Sequence, residues 1–254
     1  MATITSGQRK HADYLRLRGL AVAKVYMNRL ARLRAKEVRR VLDICKEQDT
    51  QYWPGTISAK LAEDYLPKWW EGLFLEAGVP MADTTARALQ RSKAAPRNSI
   101  WAEMLIDYAY RRSGLAIVSV TGTFKDTLLG IVADRLAAGL SGGIEKVTRD
   151  IARSFGELNL WQCRRIAQTE GMIAMADAAD GAARSLDIGM TKVWMTSGLA
   201  NTRESHLAVD GVEVDADEPF VLPGGMLMYP HDTSMGADGE EIINCACACD
   251  YRPK

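Results

Sequence analysis

The sequence predicts an α+β protein in which a largely helical amino-terminal region and a helical lead-in precede a small domain with an antiparallel sheet. Apolar residues recur every three or four positions through most of the chain before Gly189, which is typical of amphipathic helices. Beyond Gly189, short alternating runs and turn residues indicate strands. The chain has 254 residues, of which 47% are hydrophobic, and this is enough to bury a core.

The change in pattern divides the chain into two expected regions. Residues 1–112 are predicted to form a long basic helix plus a helical bundle. Residues 113–254 are predicted to form a second domain, with helices over 123–186 and a β-rich part over 190–254. No stretch approaches the roughly 20 apolar residues that cross a bilayer, so we expect no membrane association.

The first element is a long helix from about Arg9 to Glu47, a stretch without proline in which Gly19 is the only glycine. Residues 9–40 hold eleven Lys or Arg against two acids, a net charge of +9, whereas residues 199–254 hold three bases against eleven acids, a net charge of −8. Such a helix can contact nucleic acid or an acidic protein surface. It can equally be a solvated face or an intersubunit contact. The candidate contact residues are Arg16, Arg18, Arg29, Arg32, Arg34, Arg39 and Arg40.

Proline and glycine predict three breaks among the helices that follow. A helix that begins at Thr56 or Ser58 is kinked or divided at Pro67. A short helix is expected from Asp83 to about Lys93, and another from Ile100 to Tyr110. The predicted breaks are residues 53–56, 77–80 and 95–98.

The helical lead-in is predicted as three further helices. A β-branched run at residues 115–120 favours a short strand or an extended connection before them. The first helix covers Phe124 to Leu140 and ends at Ser141-Gly142-Gly143. Two more follow over residues 144–155 and about 159–186.

Three short strands are predicted in the carboxy-terminal part, at residues 192–195, 212–214 and 242–245. Asp210-Gly211 is a hairpin turn signal between them. Cysteines alternate from Cys245 to Cys249, so in a strand their three side chains would face one side.

The same part of the chain holds two of the three histidines and three of the five cysteines. Imidazole and thiolate are the common zinc ligands, but C-x-C-x-C is not the C-x₂₋₄-C spacing typical of structural zinc. Small buried thiols and a polar brace at His206 are the alternative. No cofactor is expected, since no Walker loop or dinucleotide glycine signature occurs. The alternative is a structural zinc. The candidate ligands are His206, His231, Cys245, Cys247 and Cys249.

An ordered series of motifs from about Thr121 onward resembles the phage head morphogenesis family, whose members are similar to protein F of phage Mu. Ile166-Ala167-Gln168-Thr169-Glu170 stands where the family has I-A-R-T-E, and Asn244-Cys245-Ala246-Cys247 stands where it has N-C-R-C. Gln168 and Ala246 replace the family's arginines. The matching residues are Thr169, Glu170, Trp194, Thr202, Arg203, His206, Asp210, Gly211, Pro223, Gly224, Asn244, Cys245 and Cys247.

The resemblance implies a minor head protein of a tailed bacteriophage, located in the virion head near the portal vertex and in the host cytoplasm during assembly. Such a protein acts in head assembly and in genome packaging or ejection. Its expected partners are the portal protein, the major capsid protein and packaged double-stranded DNA, and it is expected to be oligomeric within the virion. Residues 1–112 would dock on portal or capsid.

No enzymatic activity is expected, because the sequence shows no complete catalytic constellation. The rival hypothesis is a metal-dependent nuclease or hydrolase that uses His206, His231 and the cluster from Cys245 to Cys249. These residues are the main concentration of ligand-type side chains in the chain, which is the observation behind that rival.

Overall fold

A computed structural model of the chain describes residues 5–61, 66–90, 98–138, 143–186 and 188–254. Its longer helices are α1 (Ser6–Lys46), α2 (Trp53–Lys60), α3 (Leu66–Gln90), α4 (Asn98–Ala137) and α5 (Gly143–Arg184), and two short ones are α6 (Glu204–Ala208) and α7 (Gly239–Ile242). The strands are β1 (Met190–Met195), β2 (Glu213–Asp215), β3 (Phe220–Leu222), β4 (Gly225–Leu227) and β5 (Ala248–Pro253). The predicted α+β class is confirmed.

Strand β1 is the centre of an antiparallel three-stranded sheet with the order β2-β1-β5. Along β5 the register runs from Met190 opposite Pro253 to Met195 opposite Ala248. Strands β3 and β4 form a separate antiparallel pair. The strands predicted at residues 192–195 and 212–214 are confirmed as β1 and β2, with bounds shifted by one or two residues.

The predicted strand at residues 242–245 is wrong. Helix α7 ends at Ile242, and the strand that pairs with β1 is β5. Asn244 has φ of +56°, a left-handed conformation that a strand residue does not adopt. Of the three alternating cysteines only Cys249 lies in a strand, so the prediction that all three share one face of a strand is also wrong.

Two predicted breaks are helical instead. Helix α2 begins at Trp53 with Pro54 in its first turn. Backbone N–H groups in the first turn make no hydrogen bond within the helix, so proline costs nothing there. Helix α3 continues through Pro80, so the separate helix from Asp83 is wrong too. A proline inside a helix costs about 3 kcal/mol, and the buried side chains on both sides of Pro80 offset it. They are Leu73, Phe74, Ala77, Met81, Ala82 and Ala86.

The strand considered for residues 115–120 is likewise helical, because α4 runs from Asn98 to Ala137 without interruption. Short apolar runs do not distinguish strand from buried helix, and β-branched residues cost little in a helix. The helices predicted over 144–155 and 159–186 are one helix, α5. The predicted breaks at residues 95–97 and 141–142 lie outside the described residues.

The chain divides into two compact units, each built from separated segments. Unit 1 comprises Met1–Lys24, Glu71–Tyr108 and Arg165–Lys254, and unit 2 comprises Val25–Trp70 and Ala109–Arg164. The boundary expected between residues 112 and 113 falls inside α4, and the division into domains at that point stays a prediction. Within the described residues, no helix is long and apolar enough to cross a lipid bilayer.

Unit 2 has an aromatic and aliphatic core. Phe124 and Phe155 meet edge to face with their ring centroids 5.1 Å apart. Trp53 lies fully buried beside α2 residue Ile57. The core residues are Val38, Val41, Leu42, Cys45, Trp53, Ile57, Leu61, Phe124, Leu128, Val132, Val147, Ile151 and Phe155.

In unit 1, small residues bring α1 close to α5. A Cβ added at Gly19 would lie 2.7 Å from the sulfur of Met175 and 2.8 Å from that of Met172. The tyrosine hydroxyls of the carboxy-terminal part donate to α5 carboxylates: Tyr229 to Asp177 at 2.7 Å and Tyr251 to Asp180 at 3.0 Å. These contacts attach the carboxy-terminal part to the last turns of α5.

Candidate metal centre

His206, Cys245 and Cys247 form a buried cluster in unit 1. His206 lies on α6, and the two cysteines lie in the loop between α7 and β5. The Nδ1 atom of His206 is 3.6 Å from Sγ of Cys245 and 3.4 Å from Sγ of Cys247. All three ligand-type atoms lie within 4.8 Å of one another, and each residue is at most 2% exposed. All five cysteines of the chain are free thiols.

Glu241 holds the imidazole from its other side. Its Oε2 atom lies 2.9 Å from Nε2 of His206 and accepts a hydrogen bond from the Ser205 hydroxyl at 2.8 Å. Because a carboxylate oxygen only accepts, Nε2 carries the hydrogen, and Nδ1 of the neutral ring then presents a lone pair to the sulfurs. Glu241 is itself buried, at 6% exposure.

Aromatic side chains close the cluster on the sheet side. The Trp194 ring from β1 meets the His206 ring edge to face at 5.3 Å and the Phe220 ring from β3 at 5.2 Å. All three residues are at most 1% exposed. Among the described residues, the imidazole thus contacts Trp194, Glu241 and the two thiols. This close packing limits its rotation.

The family motifs supply the backbone that brings these side chains together. The N–H of Asn244, in its left-handed conformation, donates to the Thr169 hydroxyl at 3.1 Å. Arg203, which precedes α6, donates to the carbonyl of Ile243 at 2.5 Å. A Cβ on Gly224 would lie 2.7 Å from Cγ of Glu241. The first two contacts fix the loop that carries Cys245, and the third positions α7, which carries Glu241.

Other motif residues build the turn after α6. Asp210 accepts from the N–H of Thr196 at 2.8 Å and forms an ion pair with Arg9 at 2.5 Å. Gly211, with φ of +76°, donates its N–H to the carbonyl of Trp194 at 2.9 Å. Of the remaining motif positions, Thr202 donates its hydroxyl to the carbonyl of Leu199, Pro223 is exposed between β3 and β4, and Glu170 is buried on α5.

The two thiols have opposite electrostatic environments. Burial raises the pKa of Cys245 well above its usual value. The hydrogen bond from Cys245 lowers the pKa of Cys247, and the nearby His206 lowers it further. The backbone N–H of Cys247 also donates to Sγ of Cys245 at 3.3 Å. Of the two thiols, Cys247 is therefore the one whose pKa favours the thiolate.

His231 and Cys249, the other two candidate ligands, are not part of this cluster. Nε2 of His231 lies 3.2 Å from the carbonyl oxygen of Cys247 and donates to it. Burial lowers the pKa of His231 to about 4. Cys249 lies in β5 opposite Trp194. Glu241 belongs to no recognisable sequence motif, so the sequence does not predict its contact with His206.

The predicted basic surface is partly realised on α1. Arg29, Arg32, Arg39 and Arg40 are exposed, and Arg16 and Arg18 are half-buried. The four exposed arginines and Lys36 share one face of the helix in unit 2, since their spacing follows the helical repeat. This basic stripe, defined as Arg29, Arg32, Lys36, Arg39 and Arg40, covers about 16 Å. Lys36 is an addition that the sequence did not single out.

Arg34 departs from the expectation of an outward contact. It is 1% exposed, and its guanidinium lies over the Phe124 ring at 4.4 Å from the centroid. Buried arginines stacked on aromatic rings stabilise a core through cation–π contact and packing of the aliphatic stem. Arg34 is therefore a core residue of unit 2 and does not contribute to the basic stripe.

Comparison with known proteins shows a sequence similarity to a phage head protein. The chain is 25% identical over 210 residues to the minor head protein GP7 of Bacillus phage SPP1, an alignment that covers 80% of this chain and 59% of that protein. No family model and no solved structure matches. The chain thus resembles a phage head protein along most of its length.

Two other relatives share shorter segments. The chain is 32% identical over 130 residues to the NAD(+)--arginine ADP-ribosyltransferase EFV of Enterococcus faecalis, covering 49% of this chain and 26% of that protein. It is 29% identical over 126 residues to the uncharacterized protein YqbB of Bacillus subtilis, covering 46% of this chain and 39% of that protein. The chain therefore spans between about a quarter and three fifths of the relatives it matches.

Proposed function

We propose that the chain is a minor head protein of a tailed bacteriophage. The observation that carries this proposal is the alignment with the SPP1 minor head protein across 80% of the chain. The ordered motif series points the same way, because its residues occur in the order expected for head morphogenesis proteins. The protein would reside in the virion head, and in the host cytoplasm while heads assemble.

The finer proposal is a location at the portal vertex, with several copies bound to the portal protein, the major capsid protein or both. Residues 1–112 would supply the docking surface. The protein would enter the head during assembly and act in genome packaging or ejection. The arrangement of the motifs supports a structural role, since Thr169, Arg203 and Gly224 contact other parts of unit 1.

The experiment is to delete the coding sequence from a phage or prophage genome that carries it and to restore it with a tagged copy. Heads purified on a density gradient should contain the tagged chain, as measured by mass spectrometry and immunogold labelling. DNA-filled heads that fail to infect would assign the protein to ejection, and empty heads would assign it to packaging. Absence of the chain from purified heads would refute the proposal.

The hydrolase hypothesis gains less support. Cys245, Cys247 and His206 are buried, and the cavity that Cys247 borders has a volume of about 30 Å³. The similarity to the Enterococcus transferase does not extend that activity to this chain, because the alignment covers 26% of that protein.

We further propose that the basic stripe contacts the phosphates of packaged DNA. Five cations share one helix face in unit 2, and one of them, Arg40, pairs with Glu37 at 2.6 Å. Phosphate contacts release counterions, so the logarithm of affinity falls with the logarithm of salt concentration by about 0.9 for each contact.

A matched pair of triple variants tests the DNA proposal. Arg29, Arg32 and Lys36 are changed to Gln in one protein, and Lys146, Arg149 and Arg153, exposed at the same spacing on α5, in the other. The first variant should bind duplex DNA more weakly and with a salt slope lower by roughly 2 to 3, measured by fluorescence anisotropy. Equal losses in both variants, or no binding by the parent protein at low salt, would refute it.

A further inference from the structure

The two nitrogen-to-sulfur distances in the buried cluster match those of a tetrahedral metal site. With zinc about 2.3 Å from sulfur and about 2.05 Å from nitrogen, a tetrahedral angle places the two ligand atoms about 3.6 Å apart. The observed separations from Nδ1 of His206 are 3.6 Å to Cys245 and 3.4 Å to Cys247. The three side chains therefore need little movement to receive an ion.

The ring nitrogen cannot accept a hydrogen bond from both thiols at once. Nδ1 of His206 has a single in-plane lone pair, because Nε2 carries the hydrogen that faces Glu241. Two sulfurs nevertheless converge on that one lone pair from similar distances. A cation at their meeting point would satisfy all three atoms together, and buried polar atoms are normally satisfied.

The surroundings are those of a metal ligand set. Glu241 orients the ring through Nε2 at 2.9 Å, and a carboxylate on the second nitrogen is common in zinc-bound histidines. The N–H of Cys247 donates to Sγ of Cys245 at 3.3 Å, as hydrogen bonds to metal-bound sulfur do. Because Gly224 has no side chain, the Glu241 side chain has room beside it.

We propose that Nδ1 of His206 and the sulfurs of Cys245 and Cys247 bind one zinc ion that joins α6 to the loop before β5. Two thiolates and an imidazole favour zinc over the oxygen-binding cations. The short C-x-C spacing is compatible with this because the two cysteines lie in a loop and not in a flat strand. A water molecule would complete the fourth position, and His231 and Cys249 would remain outside the ligand set.

A competing use of the same atoms is a cysteine nucleophile activated by His206 and Glu241. A nucleophile must reach its substrate, whereas Cys247 is 2% exposed and borders a cavity of about 30 Å³. A nucleophile also needs one thiol, and here two lie near the imidazole, at 3.4 and 3.6 Å. The geometry therefore favours the ion, and alkylation of Cys247 in the metal-loaded protein is an outcome of the test.

The test begins with the metal content of the full chain purified without chelators, measured by plasma mass spectrometry. One zinc per chain is expected. Cys245→Ser and Cys247→Ser should each lose it, while the matched controls Cys249→Ser and His231→Gln should keep it. Glu241→Gln should keep the ion with roughly 10- to 100-fold weaker affinity in chelator competition.

Measurements on the unaltered protein guard against variants that fail to fold. Cobalt exchanged into the chain should give the tetrahedral d–d spectrum and charge-transfer bands of two thiolates, and chelation should make both thiols reactive toward a disulfide reagent. A folded parent protein without stoichiometric metal would overturn the proposal. Zinc lost from the Cys249→Ser variant, or Cys247 alkylated while zinc is bound, would overturn it as well. None of these results depends on whether the protein enters virions.

Discussion

Asp210 shows how a motif residue is used at the scale of single side chains. Its carboxylate receives the N–H of Thr196 and the guanidinium of Arg9, which lies near the start of α1. Partial burial raises the pKa of Asp210, but the hydrogen bonds from Arg9 and Thr196 outweigh it and hold the pKa below the ordinary 3.8. The ionised form therefore stabilises the folded state.

We predict that Asp210→Asn lowers the free energy of unfolding by roughly 1 kcal/mol at neutral pH, a modest value because the Arg9 side chain is 41% exposed. A lowered pKa gives a contribution that is present above the ordinary pKa and lost as pH falls through the folded one. The gap between variant and parent should thus close below about pH 4 in urea titrations.

The matched control is Asp13→Asn, since Asp13 pairs with Arg16 at 3.5 Å while 55% exposed. Exposed pairs of that kind contribute little, so this change should leave the unfolding curve unaltered. A gap for Asp210→Asn that is the same at pH 3 and pH 7 would contradict the assignment of the effect to its charge.

Sequence reasoning located many of these residues but not their partners. His206, Cys245 and Cys247 stand out by type and order, whereas Glu241 resembles any acid in a polar loop until the fold places it against the imidazole. For Arg34 the error is the reverse, because the residue was identified but its location was wrong. Its charge suggested a surface role, and only the position of Phe124 in α4 reveals that it is buried.

At the scale of elements, the β3–β4 pair packs on α7 through a position without a side chain. A Cβ on Gly224 would lie 2.7 Å from Cγ and 2.8 Å from Oε1 of Glu241. Glu241 cannot easily retreat, because its carboxylate is held by Ser205 and His206. The glycine of this motif therefore serves the packing between elements.

Gly224→Ala should destabilise the protein by about 1 to 3 kcal/mol, the usual cost of overpacking, as measured by thermal and urea unfolding. Gly55→Ala is the control, because an added Cβ at Gly55 in α2 meets nothing within 4 Å. In a helix that change should be neutral or stabilising by up to about 1 kcal/mol. Equal stability of the two variants would show that Glu241 yields to the added methyl group.

Elements were predictable where their pattern was local. The unbroken amphipathic stretch gave α1, and the alternation at residues 192–195 gave β1. The errors came where burial overrides local signals, as at Pro80 inside α3. A third kind of error came from Asn244, whose backbone turns the chain away from a strand and toward Thr169.

At the scale of the whole molecule, long helices contribute residues to two compact units. Unit 1 holds the buried cluster and its motif residues, and unit 2 holds the basic stripe and the aromatic core around Phe124. Composition predicted the charge difference between the two ends of the chain. It could not predict the division into units, because each unit is built from separated segments and no single position in the sequence marks a boundary. The two proposed activities, metal binding and phosphate contact, therefore belong to different units.

This division gives a prediction about metal removal. Chelation should increase amide hydrogen exchange in α6 and in the loop before β5, because the ion joins these two parts and its binding energy contributes to their stability. A smaller increase is expected in β1, whose Trp194 packs on His206. Exchange in the unit 2 parts of α1, α4 and α5 should stay the same, since their core contains no ligand of the ion. Hydrogen exchange with mass spectrometry measures both regions in one sample, and DNA binding by the chelated protein should be unchanged. A uniform rise in exchange along both units would instead mean that the ion stabilises the chain as one cooperative body.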